Sequence, residues 1–340
     1  MGKVLSFGEL LLRICHDSEG EWLDKNSLPV YVGGAEANVA AALALWEIPS
    51  AYMTAVPDNF IARQLVAYLD QLKVDTSAIR YSGERIGLYF LDKGKDLKNA
   101  GVIYDRKYSS FSELEPGTIN WAAVFEGVSW FHFSAICPAV NQSVADVCEE
   151  ALQAAAALNI RISIDLNYRS KLWKFGKEPA EVLPALVEYC DLVMGNVWAA
   201  EKMLGIPVSE TLVEEHDKSA YLQQSQISSK AIMAQFPRCT AVANTFRFDH
   251  GNGIQYYTTL YTYDELFISK EYVADQIAGK VGSGDCFMAG LIYGFYKELA
   301  PQQIVEFATS AAFAKLFTES DFNTTTIEEI QKIAGQYEAV

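Results

Sequence analysis

The chain has 340 residues, half of them hydrophobic, which suits one large α/β domain and excludes native disorder. With 43 acidic against 27 basic residues the formal net charge is −16, so long-range repulsion excludes nucleic acid or an anionic membrane as partner. A small anionic substrate remains admissible where basic residues converge.

In chain order, Lys3 to Phe7, Ser50 to Val56, Ser129 to Ser134, Ile160 to Leu166, Asp191 to Met194 and Thr240 to Thr245 read as strands. Between them, Ala35 to Trp46, Phe60 to Leu72, Gln142 to Leu158, Pro179 to Tyr189 and Val197 to Leu204 carry helical apolar spacing. That alternation predicts a mainly parallel sheet with helices on both faces, whose ligands bind beyond the carboxyl ends of the strands. One region breaks the rhythm. Arg85 to Leu91 and Gly101 to Arg106 flank the polar loop Asp92 to Asp96 and predict a hairpin. With Leu10 to Ile14 and Pro29 to Val32 it would make a small β lid, spanning about 9–32 and 84–110 of a single domain over 1–340. The polar stretch Ser209 to Lys230 predicts an exposed loop with some helix.

Cysteines 15, 137, 148, 190, 239 and 286 form no C-x-x-C pair, and histidines 16, 132, 216 and 250 show no metal-ligand spacing. Reduced thiols fit best. Met1 to Leu5 run straight into a strand without a signal-peptide layout, and no run of about 20 apolar residues occurs. The expectation is a soluble, cytoplasmic protein without a membrane partner.

The segment Val281-Gly282-Ser283-Gly284-Asp285-Cys286-Phe287 carries the most chemistry. Its glycines precede an apolar helix with small residues on one side, so main-chain N–H groups and the helix N-terminus would receive an anion such as phosphate. Asp285 would then sit beside that phosphate. Repulsion makes this senseless for binding alone, but it suits a base that takes a proton from a hydroxyl attacking phosphorus. The competing reading is a plain glycine-rich loop with Asp285 as helix cap. Phe287 occupies the place of the third glycine of a dinucleotide fingerprint, and no G-x-x-x-x-G-K-[ST] loop occurs.

Gly33-Gly34-Ala35-Glu36-Ala37-Asn38 together with Gly282-Ser283-Gly284-Asp285 resembles the two signatures of the PfkB (ribokinase-like) carbohydrate kinases. Within that family the chain is most similar to the 2-keto-3-deoxygluconate kinases, through Gly8 to Arg13, Gly87 to Phe90, Tyr104 to Arg106, Trp130 to Phe133, Asp165 to Arg169 and Asp321 to Asn323. The resemblance spans about residues 3 to 330. It implies a ribokinase-like fold, with ATP and Mg²⁺ as cofactors and a sugar or sugar acid as small-molecule partner. The reaction implied is phosphorylation of 2-keto-3-deoxygluconate to its 6-phosphate, with Asp285 as base and Gly282, Ser283 and Gly284 as anion hole. Gly33, Gly34 and Asn38 would hold sugar hydroxyls. Arg106 and Arg169, whose planar guanidinium suits a carboxylate, would take the acid group, and Tyr89 and Tyr104 would add hydroxyls. The alternative is that these tyrosines only pack the lid and the arginines pair with acids such as Asp105. On the ATP side the resemblance implies Asn196, Thr245 and Arg247, with Thr245 to Arg247 following a strand; Lys280, just before the anion loop, would neutralise phosphate charge, and Asn323 and Lys315 would lie near the adenine or ribose where the last helices pack as in the family. It also implies a homodimer through the lid.

Three positions depart from the family pattern. Ala199 stands where an N-x-x-E glutamate handles Mg²⁺ and phosphate, and the nearest acid, Glu201, would point away along the helix. Gly279 replaces an aspartate associated with cation binding, and Ser320 replaces a glycine. The metal site is therefore unassigned. A fructokinase or other sugar kinase, and a catalytically impaired sugar-acid-binding protein, stay open beside the sugar-acid kinase.

Overall fold

The computed structural model describes residues 2–16, 22–23, 26–92, 101–212, 217–251 and 253–336. Among the described residues nine strands form the main sheet. From one edge they run Glu265–Ile268, Gly253–Thr262, Ala241–His250, Leu192–Gly195, Arg161–Asp165, Val128–Ser134, Lys3–Phe7 and Ser50–Met53, with Tyr272–Ala274 also pairing Gly253–Thr262. From Ser50–Met53 to Ala241–His250 every neighbouring pair is parallel.

Alternation along each strand feeds two cores. Leu5, Phe7, Phe131 and Phe133 point to one face, under the helices Gln142–Ala157, Pro179–Val187 and Val197–Leu204. Val4 and Trp130 point to the other, under Ala35–Leu45, Ser283–Tyr296 and Pro301–Lys315. Each fully buried large side chain contributes about 1.5–3 kcal/mol, so both faces are held by burial rather than by strand propensity. The last two helices named pack without a gap: a Cβ on Gly290 would come within 2.5 Å of Ala308 Cα.

Three expectations need correction. The predicted strand Ser50 to Val56 divides at Thr54, because Ala55–Val56 leaves the sheet to pair with Arg80–Tyr81. The strand predicted to end at Thr245 runs on to His250, since it gains an antiparallel partner in Gly253–Thr262. Thr245 to Arg247 thus lie within a strand. In the stretch expected as exposed loop with some helix, residues 218–230 are helix throughout, within Lys218–Gln235, and its serines are interior: Ser225, Ser228 and Ser229 are buried, with Ser225 Oγ 2.7 Å from Thr259 Oγ1. Polar composition misled because hydroxyls can satisfy one another inside.

A separate four-stranded sheet runs Val30–Gly33, Leu11–Ile14, Gly87–Leu91, Val102–Asp105. The predicted hairpin is present, with Tyr89 opposite Tyr104 in an antiparallel pair, while residues 93–96 of its polar loop lie outside the described residues. Leu11, Tyr89, Leu91 and Val102 pack with Val281, so this sheet lies as a lid over the glycine-rich loop. Among the described residues no helix is long and apolar enough to cross a membrane.

Candidate active site

Gly282 opens the helix Ser283–Tyr296 in a left-handed conformation, φ 77°, and a Cβ there would lie 2.4 Å from Asp321 O. Only glycine fits. At Gly284 a Cβ would meet nothing within 4 Å, because this position opens onto the cavity. The amides of Ser283, Gly284 and Asp285 have no partner within the helix, whose first closing bond runs from Cys286 N to Gly282 O. An anion at this end would meet unpaired N–H groups and the positive end of the helix dipole.

Asp285 lies in the first turn but caps nothing, so the capping alternative fails. Its carboxylate accepts a 2.6 Å hydrogen bond from Asn38 Nδ2. Burial pushes its pKa up to about 7; the Asn38 bond opposes this, Asp165 and Glu36 add like-charge repulsion, and Arg169 pulls the other way. A carboxyl poised near neutrality is suited to proton transfer.

Asp285 faces a cavity of about 730 Å³. Gly34, Asn38, Tyr89, Tyr104, Arg106 and Arg169 line it. Gly33, expected among them, does not: a Cβ there would meet Asp321 Oδ2 at 2.5 Å, so its glycine serves packing. Asn38 differs in detail, since its amide nitrogen orients Asp285 and only its buried Oδ1, without a partner, is left for a hydroxyl.

Arg106 also departs from expectation. Its Nε bonds Glu9 Oε2 at 2.5 Å and both residues are buried, so its charge is already matched. The surface acid expected to compete, Asp105, pairs with Arg85 instead. Tyr89 donates to Asp321 at 2.7 Å and does not present a free proton to a ligand. Tyr104 is raised by burial against the pull of Arg169 and Arg106 beside it. Arg169 donates to the Tyr168 carbonyl at 3.0 Å, its Nε is buried without a partner, and it forms no ion pair among the described residues.

Three cavity carboxylates were missed as site residues: Glu36, whose Oε1 accepts from Ser134 N at 3.0 Å, and the two acids Glu9 and Asp165. Glu9 lines the cavity and its Oε1 is buried without a partner, ready to accept from a hydroxyl. Asp165 lines the cavity at the end of its strand. Both stand at or just beyond strand carboxyl ends, where the topology rule directs attention.

Asn196, Thr245, Arg247 and Lys280 line the same cavity. Asn196 Oδ1 caps its helix by accepting from Ala199 N at 2.9 Å. Thr245 Oγ1 donates to Gly195 O at 3.3 Å, Arg247 to Ser283 Oγ at 3.3 Å and Lys280 to Asp249 at 2.7 Å. Asn323 and Lys315 are not in the lining. Asn323 folds its amide onto Thr325, and Lys315 is wholly buried beneath the glycine loop.

Ala199 is on the cavity wall while Glu201 is not, as its position one-half turn on dictates. Among the described residues no cluster of three His, Cys, Asp or Glu residues stands ready for a metal. The cavity does offer hard oxygen donors in Asp165, Asp285 and Asn196, which fits Mg²⁺ carried in on nucleotide phosphates and water rather than held in a protein cage.

Residues 1–235 match the family described as pfkB family carbohydrate kinase. A curated 2-dehydro-3-deoxygalactonokinase of Haloferax volcanii is 30% identical over 172 residues, 50% of this chain and 54% of that protein. Among solved structures, 2-dehydro-3-deoxygluconokinase of Thermotoga maritima superposes with TM-score 0.89 at 31% identity, covering 98% of this chain and 100% of that one. Fructokinase of Xylella fastidiosa with bound ATP shares the fold, at TM-score 0.74, 19% identity and 99% coverage of both chains.

Proposed function

The chain belongs to the pfkB family of carbohydrate kinases, and on that premise we propose that it transfers the γ-phosphoryl group of ATP to a hydroxyl of a sugar acid. The first candidate is 2-keto-3-deoxygluconate, giving its 6-phosphate. The observation that carries this reading is the meeting, in one cavity, of an open anion loop, a carboxyl raised to about 7, and an arginine without an ion pair among the described residues.

In this reading Arg169 takes the substrate carboxylate, while Glu9 Oε1 and Asn38 Oδ1 accept from its hydroxyls and fix the ring or chain. Asp285 accepts the proton of the attacking hydroxyl as its oxygen bonds to phosphorus and the bond to the β-phosphate bridging oxygen breaks. The amides from Gly282 to Asp285 hold the transferring group. Arg247 and Lys280 face the remaining phosphates, and Asn196 and Thr245 line the nucleotide side. Mg²⁺, when bound, supplies further charge neutralisation. We take the whole chain as one catalytic unit with the four-stranded sheet as lid, and a homodimer through that lid as its assembly. All six cysteines are buried thiols outside any disulfide, which supports a reducing, cytoplasmic setting.

A second reading rests on Ala199. With no acid at that cavity position, metal handling is weaker, and a sugar-acid-binding protein of slight turnover follows. An ADP-release assay with 2-keto-3-deoxygluconate separates the two. Turnover abolished in Asp285→Asn supports the kinase; tight sugar-acid binding without ATP consumption overturns it.

A further inference from the structure

Lys315 is wholly buried, yet its partners are not carboxylates. Its Nζ donates to three backbone carbonyls: Ser320 O at 2.5 Å, Val281 O at 3.1 Å and, more loosely, Thr318 O at 3.5 Å. An ammonium has three N–H donors, and an isolated one costs several kcal/mol to bury, so a carbonyl cage of this size is what makes the residue tolerable there. Burial lowers its pKa from the usual lysine value, and Cys286, Asp321 and Asp285 oppose this only through space, so the carbonyls are its direct partners.

The cage has a place in the chemistry. Val281 immediately precedes Gly282, and a Cβ on Gly282 would lie 3.2 Å from Lys315 Cε. Because a trans peptide points its C=O and N–H in opposite directions, tying the Val281 carbonyl down to Lys315 aims the Gly282 N–H away from the lysine. The same turn is stitched to the loop elsewhere, with Ala278 N and Gly279 N both donating to Leu316 O, at 2.9 and 3.1 Å. Its far end carries Asp321, clasped by the lid through Arg13 at 2.7 Å and Tyr89 at 2.7 Å.

We propose that Lys315 is a positioning residue: a built-in monovalent cation that holds the glycine loop in its phosphate-binding shape. Cutting back the side chain leaves a carbonyl cage of the kind that replaces the hydration shell of K⁺ or NH₄⁺. The claim rests on the kinase reading for its consequence, but the cage itself is testable without turnover.

The experiment compares wild type, Lys315→Met and Lys315→Ala in K⁺, NH₄⁺ or tetramethylammonium at constant ionic strength, reading kcat, KM for ATP and Tm. Wild type should vary less than about twofold among the ions. Lys315→Met fills the space without the charge; by analogy with loss of an oxyanion donor it should lose about 10- to 100-fold in kcat, with no ion restoring it. Lys315→Ala should lose a similar factor, recover in NH₄⁺ or K⁺, and melt higher in those ions than in tetramethylammonium. Strong activation of wild type by K⁺, full activity in the methionine variant, or an alanine variant indifferent to all three ions in rate and Tm overturns the proposal. If wild type phosphorylates no sugar acid, the kinase reading falls, while an ion-dependent Tm confined to the alanine variant still establishes the cage.

Discussion

The amide of Asn38 and the carboxylate of Asp285 meet at 2.6 Å across 247 positions of sequence. This contact joins the two glycine-containing segments into one site. It also directs the Asp285 oxygens, since a carboxylate oxygen held by a donor leaves the other to face the cavity.

Because burial lifts Asp285 to about 7, kcat/KM should rise with pH through that region as the base loses its proton. Stability moves the opposite way. In the unfolded chain the group ionises near 4, so between about 4 and 7 only the folded state keeps the proton, and stability falls as pH rises through that window. Asp285→Asn should therefore abolish turnover, by a factor of about 10³ or more, yet melt higher than wild type at pH 8 and much less so at pH 5. Paired melts at the two pH values test this; an equal shift at both contradicts the assignment.

Asn38→Ala removes a donor that favours the ionised carboxylate. The midpoint of the kcat/KM profile should move upward, with kcat reduced about 10- to 100-fold. A profile unmoved from wild type would mean that Asn38 serves only packing.

Arg169 stands beside Tyr104 with an unpartnered Nε. Arg169→Ala should raise KM for a sugar acid about 10- to 100-fold while changing KM for fructose little, because only the acid loses a charge-assisted contact. Steady-state kinetics on both substrates decide it. Equal losses would favour a neutral sugar as the natural substrate.

Glu9 and Arg106 are a buried pair, 2% and 5% exposed. Glu9→Gln strands a guanidinium and should cost about 3–5 kcal/mol, whereas the double variant Glu9→Gln, Arg106→Met should recover part of that loss. Urea melts of the two proteins provide the comparison; a double variant no more stable than the single one would show that the pair is not an isolated unit.

Gly282 and Gly284 make a contrast within one loop. Gly282→Ala is strained by its positive φ and by Asp321 O, so it should lower stability by about 1–3 kcal/mol. Gly284→Ala meets no protein atom and should leave Tm unchanged while its methyl group obstructs the phosphate. A fully active Gly284→Ala would place the phosphate elsewhere.

Much of this molecule was legible in one dimension. Strand and helix order followed from apolar periodicity because each element buries a face whose spacing is set by its own geometry. Asp285 and its glycine loop were legible because they depend on adjacent residues and a helix start. Arg169 and Asn196 reached the cavity by standing beyond strand ends, where chain direction alone delivers them, whereas Thr245 lies inside the strand Ala241–His250.

What the tertiary structure decided were partnerships. That Arg106 belongs to Glu9 and Tyr89 to Asp321 depends on which groups fall within about 3 Å across long loops, which no local pattern encodes. The interior serines of Lys218–Gln235 misread for the same reason, since their burial depends on Thr259 and Asn244 being opposite. Lys315 is the clearest case: a lysine in sequence is a surface charge by default, and it is the arrival of the Val281 carbonyl, 34 positions away, beside the nearby Thr318 and Ser320 carbonyls that completes its partners in the interior. Periodicity fixes where each segment lies, whereas the strength of a polar contact depends on distances set by every segment at once.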